Sequence, residues 1–435
     1  MSSPDIIKAI TARRVWDSRG RPSVEVDVVL ASGVFGRAIA PAGASRGSNE
    51  AIDLRDGGTV LGGFGVEKAL HAIRTEIADC LIGRSCFDQT DIDEALIALD
   101  GTRLKSRLGG NATIATSMAV AHAAAAAAGL PLWRYLAGDR PVHLPMPMIQ
   151  VFGGGAHAGR RIDVQDFLMI PIGAASFDQA ITMTAEVYRA AGLVMQEAGL
   201  LRGVADEGGW WPEFTANEQA LQKAVQAIER AGLRPGEDVV LAIDVAASQF
   251  EQNGQYHLAA DGRKLDTAGL IDHLELWCRN YPILSLEDPL AETDHAGMQA
   301  VTLRLGANRQ IIGDDYLVTS APRVEAAAAG AYCNAVLIKP NQVGTLTETR
   351  AALDAGIRAG FRTIVSARSG ETEDVTIVHL AVGWGADQLK VGSFARSERM
   401  AKWNEALRIE ESLGRTASFV GRGAIGGLRQ PGRRP

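Results

Sequence analysis

Six apolar segments in the second half of the chain each run into a side chain able to ligate a metal, hold an anion or move a proton. Residues 239–243 lead to Asp244, 283–286 to Glu287 and 310–313 to Asp314. Residues 335–338 lead to Lys339, 363–366 to Arg368 and Ser369, and a sixth run leads to Lys390. Carboxylates are hard oxygen ligands of the kind that hold Mg²⁺. A lysine at the inner end of a buried strand loses its water. Desolvation then lowers its pKa toward the range of a general base. For Lys339 alone, a lysine reaching solvent from a loop is an equally good reading. For each carboxylate alone, the plainer reading is a surface ion pair. The repetition of one pattern six times favours chemistry.

Such groups need elements that bring them together. Short apolar runs closed by turn signals read as buried parallel strands. The stretches between them, such as 346–359 and 373–382, read as helices. Strands alternating with helices indicate a parallel α/β architecture. Polar groups at the carboxyl ends of successive strands are what the mouth of a (β/α) barrel requires.

The bulk properties agree. At 435 residues and 46% hydrophobic content, the chain has room for two domains with full cores. A net charge of −7 gives no electrostatic case for nucleic acid or an anionic membrane. Four cysteines (Cys80, Cys86, Cys278 and Cys333) are too sparse for a disulfide framework and suggest a reducing compartment. No charged-then-apolar leader and no run of membrane-spanning length is evident, so a cytoplasmic location is expected.

In the first half, residues 6–30 alternate as strands. Residues 23–28 have strict period two, which predicts a half-exposed antiparallel strand with a hairpin partner at 34–39. The small-residue loop 41–48 reads either as a mobile lid or as a plain surface connection. Residues 66–136 are helical in pattern. The alanine-rich run 121–129 reads as a tightly packed helix in which His122 is structural. Gly138, Pro141, Pro145 and Pro147 mark the domain boundary, giving domains of 1–138 and 139–435.

The ordered motifs now on the page resemble the enolase family over nearly the whole chain. They are Asp17-Ser18-Arg19-Gly20 with Pro22, Gly43-Ala44-Ser45, and Lys105 with Gly109 and Asn111-Ala112. In the second half they are Asp206-Glu207-Gly208-Gly209, Glu287-Asp288-Pro289, Gly313-Asp314-Asp315, Ile338-Lys339, Arg368-Ser369-Gly370-Glu371 and Arg396-Ser397-Glu398-Arg399. The resemblance implies an α/β chain with an N-terminal α+β cap domain and a C-terminal modified (β/α)8 barrel. It implies a cytoplasmic homodimer or octamer that dehydrates 2-phosphoglycerate to phosphoenolpyruvate with two Mg²⁺ per site. It also implies that Asp244, Glu287 and Asp314 ligate one metal and that Ser45 helps bind the second. Lys339 would be the base and Glu207 the proton donor. Lys390 would offset carboxylate charge, and Arg368, Ser369, His157 and Gln165 would hold the substrate.

Several positions depart from the family pattern. Asp166 stands where the family has Glu, Ala367 where it has His, and Arg46 where it has Thr. Trp210-Trp211 replaces a Tyr or Phe followed by Ala, and Gly153 replaces Asn. Asp166 and Ala367 remove volume, and Arg46 adds a planar cationic fork suited to a further carboxylate or phosphate oxygen. Three readings follow. One is a lyase for a 2-phosphoglycerate-like substrate with a larger anionic group, phosphorylated or phosphonylated. The precedent is carboxyphosphonoenolpyruvate synthase. The second is an ordinary glycolytic enolase. The third is a non-catalytic homologue serving as a binding or structural protein, which retention of every expected metal ligand disfavours.

Overall fold

The computed structural model describes residues 5–44 and 46–426. Ser45, the expected ligand of a second metal, lies outside the described residues. The chain opens with an antiparallel sheet of β1 (Ile7–Trp16), β2 (Pro22–Leu30) and β3 (Phe35–Ile39). The helix Gly110–Ala127 packs across it. Its alanines have a steric cause: a Cβ on Gly36 of β3 would fall 2.1 Å from the Ala123 backbone nitrogen. Backbones this close leave room for nothing larger than a methyl. His122 lies on this helix with Nε2 2.9 Å from the Thr376 hydroxyl, and burial lowers its pKa.

The half-exposed strand expected at 23–28 is instead the buried centre of this sheet. Glu25 and Asp27 are only 6% and 8% exposed. Arg13 from β1 and Arg37 from β3 cover them from either side. Arg13 Nη1 pairs with Glu25, Arg13 Nη2 lies 2.5 Å from Asp27, and Arg37 Nε lies 2.6 Å from Asp27. Period-two alternation reports a polar face, and flanking strands can bury that face by pairing its charges.

The second half begins with β4 (Met146–Gly153), β5 (Asp166–Ile170) and β6 (Val240–Asp244). A small antiparallel sheet follows, made of β7 (Glu251–Gln252), β8 (Gln255–Leu258) and β9 (Arg263–Leu265). The remaining strands are β10 (Ile283–Glu287), β11 (Gln310–Gly313), β12 (Ala335–Ile338), β13 (Arg362–Ser366) and β14 (Gln388–Ser393). Together with β4, β5 and β6 they close a barrel in the order β10-β11-β12-β13-β14-β4-β5-β6. Met146, Met148, Leu168, Ile170, Val240, Ala242, Ile312 and Leu337 fill its interior.

One strand runs against the rest. β5 is antiparallel to both β4 and β6, with Asp166 opposite Gly153 on one side and Asp244 on the other. The other barrel pairings are parallel. In a parallel strand the carboxyl end faces the mouth. In the reversed β5 the amino end does, so Gln165 and Asp166 reach the same rim as Asp244 and Lys390.

Candidate active site

The rim encloses a cleft of about 330 Å³, lined among others by His157, Gln165, Asp166, Glu207, Asp244, Lys339, Arg368, Ser369 and Lys390. Loop 41–48 reaches it through Ala44. Two reciprocal backbone bonds of 2.9 Å join Ala42 and Gly370 and dock that loop on the barrel. The Asp17-Ser18-Arg19 turn braces the same place. Arg19 Nη2 donates to Ala42 O at 2.9 Å, Ser18 Oγ donates to Ser369 O at 3.2 Å, and the Ser18 amide donates to Glu371 O at 2.8 Å. A Cβ on Gly370 would strike Asp17 Oδ2 at 2.3 Å, so only glycine lets turn and loop meet.

Lysines bridge the strand-end carboxylates. Lys390 Nζ stands 3.1 Å from Asp244 Oδ2 and 2.8 and 2.7 Å from the two Glu287 oxygens. Lys339 Nζ donates to Asp314 Oδ2, and Gln342 Nε2 donates to Asp314 Oδ1 at 2.9 Å. Gln165 Nε2 donates to Asp244 Oδ2 at 3.0 Å. Burial works against the Lys390 charge, yet Asp244 and Glu287 hold that ammonium well above its usual range. The same balance overturns the expected depression of Lys339. Burial lowers it, but the Asp314 carboxylate more than compensates, and its pKa is raised. A desolvated lysine becomes a base only when its neighbours do not supply opposite charge.

Three of the carboxylates, Glu287, Asp288 and Asp315, are short of positive charge, whereas, against the effect of burial, Lys339 holds Asp314 below its ordinary value. Burial and then Asp244 push Glu287 well above its ordinary value. Burial and then Asp315 do the same to Asp288, and burial and then Asp314 raise Asp315 to about 8. Among the described residues, two sets of three bring ligand atoms within 4.8 Å of one another: Asp288, Asp314 and Asp315, and His157, Asp166 and Glu207. The expected triad Asp244, Glu287 and Asp314 is not one of them; Lys390 pairs with its first two members and Lys339 with the third. Its chemistry still fits a hard divalent cation. The donors are all oxygens at the ends of three adjacent strands, and the surplus of buried carboxylate favours added positive charge.

On the other wall, His157 links three groups. Its Nδ1 is 2.8 Å from Asp166 Oδ1, and its Nε2 is 3.1 Å from Ser369 Oγ and 3.5 Å from Glu207 Oε1. An Asp–His–Ser chain has the connectivity of a hydrolytic triad. Its protonation is wrong for that work. Burial opposes a charged imidazole, but Asp166 and Glu207 raise His157 to about 9. A charged imidazole donates from both nitrogens and cannot accept the serine proton. His157 therefore orients Asp166, Ser369 and Glu207.

Glu207 rides on a tight loop. The Gly208 φ of 93° is one that glycine adopts freely, and a Cβ there would meet Ala395 O at 2.4 Å. Trp210 anchors the loop by stacking on Tyr188 at 4.8 Å and donating Nε1–H to the Tyr188 carbonyl at 3.0 Å. Its indole lies where a Gly192 side chain would be, which accounts for a large aromatic at that position. Trp211 has no comparable explanation in the structure.

Two groups behave differently from expectation. Arg46 is not among the residues lining the cleft: its Nη2 pairs with Asp53 at 3.0 Å, and its side chain is 40% exposed. Arg368 is buried and grips Glu50, with Nη1 3.0 Å from Oε2 and Nη2 3.2 Å from Oε1. Glu50 follows the small-residue loop and gave no signal in sequence beyond its charge. Gln150, an interior amide on β4, was equally silent.

A closed barrel with a lysine, a glutamic acid and a carboxylate cluster around one mouth is the arrangement that acid–base chemistry in a barrel protein requires. Residues 141–426 match the family described as "Enolase, C-terminal TIM barrel domain", and residues 7–136 match "Enolase, N-terminal domain". The chain belongs to the enolase family, a group of Mg²⁺-using lyases. Among the described residues, no helix is long and apolar enough to cross a membrane.

Proposed function

We propose that this chain eliminates water from a glycerate bearing an anionic group on its 2-oxygen. Lys339 takes the C2 proton, the C2–C3 double bond forms, and the 3-hydroxyl leaves with a proton from Glu207. The product is an enolpyruvate ester. Asp244, Glu287 and Asp314 would hold Mg²⁺, which supplies positive charge beside the substrate carboxylate as negative charge gathers there. Lys339 acts in its neutral form, so the Asp314 charge that retains its proton must first be offset. Arg368 and Ser369 hold the anionic group, and His157 keeps Ser369 and Glu207 in place. The observation that carries this reading is that Lys339 and Glu207 line one cleft together with Asp244 and Lys390.

For the substrate, we propose a group larger than phosphate on the 2-oxygen, such as the carboxyphosphono analogue, giving carboxyphosphonoenolpyruvate. Ala367 lines the cleft with a methyl, and Asp166 is one methylene shorter than the family's glutamate. Arg46 favours the second reading, 2-phosphoglycerate itself, because its pairing with Asp53 keeps the extra cation out of the cleft. Measuring kcat/KM for both compounds decides between them. The larger substrate is expected to be preferred at least tenfold, and equal or better turnover of 2-phosphoglycerate overturns that choice.

A further inference from the structure

We infer that Gln150 is a positioning residue that locks the Glu207 loop to the Asp166–His157 pair. Gln150 sits on β4 and is 0% exposed. Its Nε2 donates to Asp166 Oδ1, and its Oε1 accepts the Gly209 amide at 2.8 Å. Its carbonyl accepts the Ser393 hydroxyl at 2.6 Å, and the Ser393 amide in turn donates to Glu207 O at 2.9 Å. One buried amide thus holds both ends of the acid's surroundings. Unlike a carboxylate or an ammonium, it donates and accepts at once.

The space around Gln150 is cleared for it by two glycines. A Cβ on Gly209 would fall 2.3 Å from its Oε1, and a Cβ on Gly153 would fall 2.6 Å from Ala205 and 3.4 Å from Gln150 Nε2. Gly153 and Asp166 are both departures from the family pattern, and Gln150 ties them into one arrangement. Asp166 lacks a methylene, and the Gln150 amide reaches it. Gly153 lacks a side chain, which leaves room for that amide and for Ala205 at the base of the acid's loop.

The role assigned to Glu207 rests on the proposed elimination, whereas the locking of the loop does not. The test therefore has two arms. In Gln150→Met both amide bonds are lost at similar volume. In Gln150→Glu the acceptor for Gly209 is kept and the donor to Asp166 is lost. Hydrogen–deuterium exchange of the intact protein, read on peptides spanning residues 203–211, is expected to speed up at least tenfold in Gln150→Met and under threefold in Gln150→Glu. Unchanged exchange in Gln150→Met overturns the inference whatever the substrate. In the second arm, Gln150→Met is expected to keep exchange of the substrate C2 hydrogen with solvent within about threefold of the parent. Elimination is expected to fall at least tenfold. A parallel loss of both steps, with no split, assigns Gln150 a general structural part and overturns the positioning role. A parent that exchanges no C2 hydrogen on either glycerate counts against the proposed function, and the peptide exchange still decides the lock.

Discussion

His157 Nδ1 lies 2.8 Å from Asp166 Oδ1, and each residue shifts the other's titration. Burial opposes both charges, yet the pair holds His157 at about 9 and Asp166 at about 2. The histidine's contribution to stability is full below its ordinary 6.5 and is lost as pH rises through about 9. The aspartate's contribution is full above its ordinary 3.8 and is lost as pH falls through about 2. Urea denaturation of chelator-treated protein should therefore show stability declining on the alkaline side of neutrality. In Asp166→Asn that decline should be smaller and should end at lower pH, and superimposable profiles would contradict the pairing.

Mg²⁺ held by Asp244, Glu287 and Asp314, as proposed, would make activity dependent on a divalent cation. Exhaustive chelation should abolish turnover, and Mg²⁺ should restore it. Binding to the folded state should also raise the melting temperature, since a ligand at ~100 times its Kd adds about 2.7 kcal/mol. Glu287→Gln should lose most of that thermal shift. An equal shift in this variant would remove Glu287 from the ligand set.

The proposed elimination assigns Lys339 and Glu207 to different steps. Lys339→Ala should abolish exchange of the C2 hydrogen with deuterated water, while Glu207→Gln should retain it and lose elimination, a general acid contributing typically ~10²–10⁴-fold. Equal loss of exchange in both variants would refute this division.

Arg368 is buried against Glu50, so removing the glutamate takes a bidentate carboxylate away from a buried charge. Glu50→Ala should destabilise the protein by about 3–5 kcal/mol, read as a lower urea midpoint. A loss below about 1 kcal/mol would mean that water or Asn341, already 3.0 Å from Arg368 Nη1, compensates.

Arg46 pairs outside the cleft, so Arg46→Thr alone should change kcat/KM for 2-phosphoglycerate by no more than about twofold, within the range of a surface ion pair. Asp166→Glu with Ala367→His restores volume next to the reacting atoms. It should raise that kcat/KM roughly tenfold or more, since ~1 Å of misplacement can cost about a hundredfold. No gain in the double variant, with efficient turnover by the parent, would show 2-phosphoglycerate to be the native substrate.

The barrel strands that bring Asp244, Glu287, Asp314 and Lys339 to their ends, and the strand that carries Lys390 within it, could be read from the chain alone. A buried strand announces itself over a few consecutive residues, and the group that follows it falls at the mouth whenever the strand is parallel. Residue order also carried the family, through motifs too long to arise by accident. Charge balance was beyond its reach. Strand-end burial alone points to a depressed pKa for Lys339, but Asp314, 25 positions away, holds the lysine's proton on. Asp166 reaches the mouth because β5 runs backwards, and strand direction is set by its pairing with β4 and β6. The partners of Arg368, Arg46 and Gln150 likewise arise from loops meeting in space. Secondary structure is encoded locally, whereas a buried group's pKa and orientation are sums over neighbours that only the folded chain assembles.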